Sequence, residues 1–226
     1  MRTSAVLTEI QSRQLLQQYG IRQNRYAFAD SKEQALQLAG TMDKPLVMKV
    51  VSDKIVHKTD FGGVQLGLMS QEDVAQAFDA IYDNAAKKGV KPEEIQGVTL
   101  QEYVVGVQEM VIGVKRDTVF GPVLLVGIGG VLVELMKDVT LGICELEERE
   151  IYQMLTSLKG FSLLDGFRGR KKADIPALVE LIRKVQTMAL NEASIVEMDI
   201  NPVIVREEGQ GAVAVDARIV VIDNTL

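Results

Sequence analysis

One histidine occurs in the 226 residues, His57, within the run VHKTDFGGV at 56–64. An imidazole of ordinary pKa, ~6.5, is largely neutral at pH 7, so a ring nitrogen can act as a nucleophile. Gly62 and Gly63 follow closely. Their backbone permits close approach and unusual dihedrals, and consecutive N–H groups there could cradle a phosphate. Phosphoryl transfer through the ring is one use of His57, and a polar loop histidine is the plainer one.

The last two strand runs hold a second set of reactive groups. In IVEMDINPVIV (195–205), Val196, Met198, Ile200 and Ile204 are apolar, while Glu197, Asp199 and Asn201 carry oxygens. A period of two puts those three on one strand face. In AVAVDARIVV (212–221) the odd positions are apolar, which leaves Asp216 and Arg218 on the other face. With REEGQG as the hairpin connection and Val205 opposite Ala212, Asn201 lies opposite Asp216 and Asp199 opposite Arg218. This register keeps the apolar faces together. It gathers three carboxylates and an amide oxygen, hard ligands suited to Mg²⁺, which takes one or two protein carboxylates plus phosphate oxygens. A solvated face with an Asp199–Arg218 pair fits the same spacing, and Asn-Pro is also a turn signal.

Charged residues inside apolar runs form a third set. Lys49 sits in PLVMKVV (45–51), where a buried ammonium needs an anion. A phosphate would serve, and so would a carboxylate such as Glu109. Glu102 and Glu134 pose the same question, and together these residues suggest a charged cleft between sheets. Arg168, in the glycine-flanked loop DGFRGRKK, could meet an anion or belong to a solvated basic turn.

Composition narrows the function classes. A net charge of −6 gives no general attraction for nucleic acid or an anionic membrane. The least charged stretch, Thr118–Val133, is too short and too broken by glycine for a membrane helix. Cys144 is the only cysteine, so nothing requires an oxidising compartment, and a cytoplasmic location is expected. The chain has no Walker-type loop, H-E-x-x-H, G-x-S-x-G or C-x-x-C. GIGGVL (127–132) has Leu132 where a dinucleotide fingerprint needs its last glycine.

The positioning elements follow from local pattern. Thr8 and Ser31 open capping-box helices that end at Gly20 and Gly40, and Ser70 caps a helix ending near Gly89. Strands are expected at 45–51 and 62–69, then in five runs from Gly97 to about Glu145, with helices near 147–158 and 174–193 and two closing strands. Short connections predict largely antiparallel pairing, hence an α+β (mixed α/β) fold, with the best candidate lobe boundary near Val98.

KVVSDKIVHKTDFGGVQLGL, the long run from LQEYVVG to GGVLVEL, and MDINPV resemble the ATP-grasp β subunit of ADP-forming acyl-CoA synthetases, the acetate–CoA ligase (ADP-forming) type related to succinyl-CoA synthetase. LTEIQSRQLLQQYGI and LLDGFRGRKKADIPAL extend the likeness over nearly the whole chain. H-K-x-D-x-G-G-V, F-G-P-V and D-x-N-P-V are specific in combination.

The resemblance implies one ATP-grasp unit over 1–226 with two lobes of largely antiparallel sheets gripping a nucleotide. The smaller lobe would span 21–100 and carry the His57 loop. The larger, 101–226, would carry the metal hairpin, with helix 8–19 packed on it and the hinge near Glu102–Val104. Lys49, with Arg168 as a further candidate, would contact phosphates, the backbone at Tyr103–Val104 would meet adenine, and Glu109 ribose; Glu102 also belongs to the nucleotide set. Asp199, Asn201 and Asp216 would hold or support Mg²⁺. His57 matches a phosphohistidine passing phosphate to ADP, in a loop that swings between two sites. A CoA-binding α subunit is implied as partner, in an α₂β₂ assembly. LGICEL (141–146) departs from relatives, which more often carry an arginine and a proline there. The alternatives are a stand-alone ATP-grasp carboxylate ligase and a non-catalytic nucleotide-sensing module.

Overall fold

The computed structural model describes residues 4–52, 54–55, 58–130 and 137–222. In chain order these form β1 (Ser4–Val6), α1 (Glu9–Gln18), β2 (Tyr26–Ala29), α2 (Lys32–Ala39), β3 (Leu46–Val51), α3 (Lys58–Phe61), β4 (Val64–Leu68) and α4 (Gln71–Lys87). Then come β5 (Gly97–Glu102), β6 (Gln108–Asp117), β7 (Gly121–Ile128), β8 (Val139–Ile143), α5 (Glu148–Ser157), α6 (Phe161–Leu164), α7 (Ile175–Asn191), β9 (Ile195–Val205), β10 (Ala212–Ala214) and β11 (Ala217–Ile222). The chain divides into two compact units, 24–103, and 1–23 with 104–226. Every ladder among these strands is antiparallel, as the short connections imply.

The smaller unit is a four-stranded sheet in the order β2-β5-β3-β4. Val98 lies in β5, inside this unit. Leu46, Met48 and Val50 alternate along β3, fully buried, in one core with Ala35 and Ala39 of α2 and the α4 stripe Val74, Ala77, Phe78, Ile81 and Ala85. α4 begins where the sequence places it. The Ser70 hydroxyl accepts the Asp73 N–H at 3.0 Å, and the Asp73 carboxylate accepts the N–H groups of Ser70 and Met69 at 2.8 and 2.9 Å. Those bonds hold the Asp73 carboxyl below its usual pKa. Ser31 differs, because its side chain makes no cap bond; the Gln34 amide oxygen instead accepts the Asp30 N–H at 2.9 Å.

The larger unit is a seven-stranded sheet, β1-β11-β9-β6-β7-β8 with β10 also on β9. Its core joins Met110, Ile112, Leu124 and Ile200 from the sheet to Leu178, Ile182 and Val185 of α7. Arg116 fixes the end of α7 by donating to the carbonyls of Ala189 and Glu192 at 2.6 and 3.1 Å, acceptors a helix C-terminus leaves open, and it reaches the Ile195 carbonyl of β9 at 2.9 Å. α1 carries its expected capping box between Thr8 and Gln11. Several elements depart from expectation. β1 and β2 are additional strands, the four-residue α3 and α6 are additional helices, and the last run is two strands, interrupted at Val215–Asp216. The strand expected within 130–136 falls on 131–136, outside the described residues.

Candidate functional site

In the larger unit the hairpin register is the expected one, with Val205 opposite Ala212 and Asp199 opposite Arg218. The Asn201 N–H donates to the Asp216 carbonyl at 3.2 Å, so the D-x-N-P run and Asp216 lie side by side. Met198 and Ile200 point into the core, whereas Glu197, Asp199 and Asn201 are partly or fully exposed on the opposite face. Arg218 does not close on Asp199. Its guanidinium donates diagonally to Glu197 at 3.1 Å. Burial raises the Asp199 carboxyl pKa, Arg218 works against that rise, and the neighbouring Asp216 and Glu197 add to it.

The cluster is looser than three carboxylates around one ion. Among the described residues no three His, Cys, Asp or Glu side chains form such a group, and Glu197 is engaged by Arg218. The remaining donors are two carboxylates and an amide. That set fits Mg²⁺, which shares its coordination with phosphate oxygens and water, and a half-desolvated carboxyl crowded by like charge favours a cation.

Other candidates in this unit are more dispersed. Glu109 is exposed at the start of β6, and its carbonyl accepts the Gly129 N–H at 2.6 Å. A Cβ on Gly129 would lie 2.7 Å from the Glu109 carbonyl carbon, so this close approach to β6 needs glycine. Arg168 is exposed with φ 51°, its guanidinium 5.2 Å from the Phe167 ring centroid. Val104 opens the segment that leads into β6. A cavity of 290 Å³ adjoins Val105–Val107, Arg170 and Gln210. A second, of 670 Å³, lies by Arg149, Tyr152 and Lys172, and none of the candidate residues lines it.

In the smaller unit Lys49 is 8% exposed on β3, opposite Thr99 of β5 and Val64 of β4. Glu102 ends β5 with its carboxylate 3.8 Å from Arg25 and accepting the Asp43 N–H at 3.2 Å, while its carbonyl accepts from Asn24 at 2.9 Å. The Tyr103 N–H donates to the Pro45 carbonyl at 3.0 Å.

His57 and Glu134 lie outside the described residues. The two glycines after His57 anchor the segment on β3 and α4, and one of their two N–H groups is already engaged. The Gly63 N–H donates to the Lys58 carbonyl at 2.8 Å, and the Gly63 carbonyl accepts from Val50 at 2.8 Å. The Gly62 carbonyl accepts from Asn84 of α4 at 3.1 Å. Sequence reasoning also missed Arg13, which is 1% exposed on α1 and donates to the Val215 carbonyl at 2.5 Å. An arginine in a polar helix gives no such signal.

Residues 1–221 match the ATP-grasp domain family. The chain belongs to the ATP-grasp family. Its relatives include subunit β of the ADP-forming acetate–CoA ligase I of Pyrococcus furiosus, 35% identical over 95% of this chain and 91% of that one. The ADP-forming 4-hydroxybutyrate–CoA ligase of Nitrosopumilus maritimus is 38% identical over 94% of this chain, which spans only 30% of that ligase's length. Among solved structures, acetyl-coenzyme A synthetase 1 of Ca. Korarchaeum cryptofilum with coenzyme A, Ca-AMPCP and HgCl⁺ has a TM-score of 0.89 at 36% identity, covering 96% of this chain and 93% of that one. A second structure of that enzyme, with coenzyme A and Mg-AMPPCP, has its phosphohistidine segment pointing towards the nucleotide binding site. Its TM-score is 0.82 at 33% identity, over 96% of this chain and 92% of the other. The mixed, antiparallel ATP-grasp architecture read from the sequence is therefore the fold of this chain. No helix among the described residues is long and apolar enough to cross a membrane.

Proposed function

We propose that the chain is the nucleotide-binding, phosphohistidine-carrying β subunit of a cytoplasmic ADP-forming acyl-CoA synthetase. With a CoA-binding α subunit, in an α₂β₂ assembly, it would catalyse acyl-CoA + ADP + phosphate ⇌ acid + CoA + ATP. The observation that carries this reading is the end-to-end match to a β subunit, together with a D-x-N-P hairpin whose register sets Asp199 and Asn201 beside Asp216.

In the ATP-forming direction, a ring nitrogen of His57 takes the phosphoryl group that originates on the partner. An ADP β-phosphate oxygen then attacks phosphorus, the N–P bond breaks, and its electron pair returns to the imidazole. Such transfer needs positioning and charge neutralisation more than covalent assistance. Lys49 supplies a fixed positive charge from a rigid strand. Asp199, Asn201 and Asp216 would hold Mg²⁺, which when bound neutralises phosphate charge. Because the Tyr103 N–H is engaged by Pro45, adenine would be met by the Tyr103 carbonyl and the Val104 backbone. Glu109 is assigned to ribose, with Glu102 shaping the backbone before it and Arg168 a further phosphate contact. The short α3 and the Gly62–Gly63 anchor give the His57 segment a fixed base on β3 and α4, about which it would swing between sites.

The test is phosphorylation by γ-³²P-ATP and Mg²⁺, wild type against His57→Ala, with the α subunit present. Acid-labile label that vanishes in the variant supports the carrier. Label independent of His57, or nucleotide binding without any label, overturns it; the latter favours a sensing module.

A further inference from the structure

Pro202 removes a hydrogen bond from the hairpin that holds Asp216, and α1 restores it. In the β9 register Val215 stands opposite Pro202, and the Val215 N–H donates to the Pro202 carbonyl at 3.0 Å. An antiparallel pair of this kind exchanges two bonds, but proline has no N–H to return. The Val215 carbonyl is therefore an acceptor without its ladder donor, and the strand breaks into β10 and β11 at this point. Arg13 fills the gap from α1, donating to that carbonyl at 2.5 Å.

The guanidinium is itself held firmly. Its Nε lies 3.4 Å from Glu9, whose side chain is 5% exposed, and Nη1 is 3.4 Å from the Gln23 amide oxygen. Gln23 in turn donates to the Arg13 carbonyl at 2.8 Å and bridges to Ala214. Next to Val215, the Asp216 carbonyl accepts the Asn201 N–H, and its carboxylate accepts the Ala217 N–H at 2.9 Å. A part-buried, charge-assisted bond thus fixes the residue immediately before a proposed metal ligand.

We propose that Arg13 is the positioning residue for Asp216: by replacing the bond that Pro202 cannot donate, it holds the β10–β11 break in the conformation that presents Asp216 to a divalent cation. This rests on the assignment of Asp216 to the metal set. Loss of an outer partner of this kind costs about tenfold or more in metal affinity.

The test uses the full chain, with Mg²⁺ and ATP as probes and nucleotide binding as readout. Arg13→Met, which keeps length and apolar packing, should raise the half-saturating Mg²⁺ concentration about tenfold, leave ATP affinity in EDTA unchanged, and speed amide exchange at Asp216 and Ala217 in the metal-free protein. Arg13→Lys keeps a donor, should recover part of the loss, and serves where the methionine variant does not fold. In an Asp216→Asn background Arg13→Met should add nothing, whereas a merely structural role would leave metal half-saturation at the wild-type value while lowering Tm. That last result overturns the proposal. If Asp216→Asn itself leaves the Mg²⁺ requirement unchanged, the metal assignment fails instead, and the inference falls with it.

Discussion

Gly63→Ala should destabilise the smaller unit through one contact, and Val50→Ala should relieve it. A Cβ on Gly63 would lie 2.5 Å from Val50 Cγ1 and 3.2 Å from the Lys58 carbonyl oxygen. Carbon atoms prefer about 3.5–4.0 Å, so the overlap with Val50 is about 1 Å. Val50 is fully buried on a central strand, and its N–H is bonded to the Gly63 carbonyl, so neither backbone can withdraw. Overpacking of this kind costs about 1–3 kcal/mol. Val50→Ala alone should cost about 1.6 kcal/mol, from two methyl groups at ~0.8 each, plus a cavity contribution. In the double variant the added methyl occupies space the valine vacated, so the total should fall short of the sum by about 1 kcal/mol or more. Native-state hydrogen exchange at the Val50 amide reads the opening of this unit without assuming that both units melt together. Additivity within about 0.3 kcal/mol would show that the two residues do not collide and refute the packing argument.

Further expectations concern caps and charge. Thr8→Ala should lose about 1 kcal/mol in urea denaturation, because its hydroxyl caps α1, whereas Ser31→Ala, which removes no cap bond, should stay within about 0.5 kcal/mol. Asp138 is 9% exposed and accepts the N–H groups of Lys159 and Gly160 at 2.9 and 2.7 Å. Asp138→Ala leaves both donors orphaned, an expected loss of about 2–3 kcal/mol by thermal or urea melting. Asp199 keeps its proton to higher pH than an ordinary aspartate, so its ionised form weakens the metal-free fold as pH rises through that raised pKa. Asp199→Asn should therefore stabilise the metal-free protein above the raised pKa, with the gain vanishing below the unfolded value of ~3.9. Apparent Mg²⁺ affinity of the wild type should fall on acidification through the same window; calorimetry at several pH values checks both signs.

What the sequence makes legible is what strict periodicity encodes. Alternation along 195–205 and 212–221 dictates the Asp199–Arg218 register, because a one-residue slip would turn Met198 and Ile200 out of the core. β1 and β2 are invisible for the opposite reason: three and four residues carry too little pattern, and their pairing with β11 and β5 is set by distant chain. Ser31 has the capping spacing, yet Gln34 takes the Asp30 amide and the serine makes no cap bond, a choice between equivalent local acceptors. Gly62 and Gly63 announce close approach but not to what; it is Val50 and Asn84 that approach. The break before Asp216 is foreshadowed by Pro202, but the arginine that fills it lies 202 residues from Val215 in the chain.

β1 occupies an edge of the larger sheet, and Ser4 stands directly opposite Ile222 of β11. Ser4 and Ile222 thus lie side by side, about 5 Å apart across a ladder. A module built this way can be spliced to the head or tail of another polypeptide, or inserted into one, without stretching chain across its own surface. The same unit accordingly makes up nearly all of the P. furiosus subunit and under a third of the N. maritimus ligase.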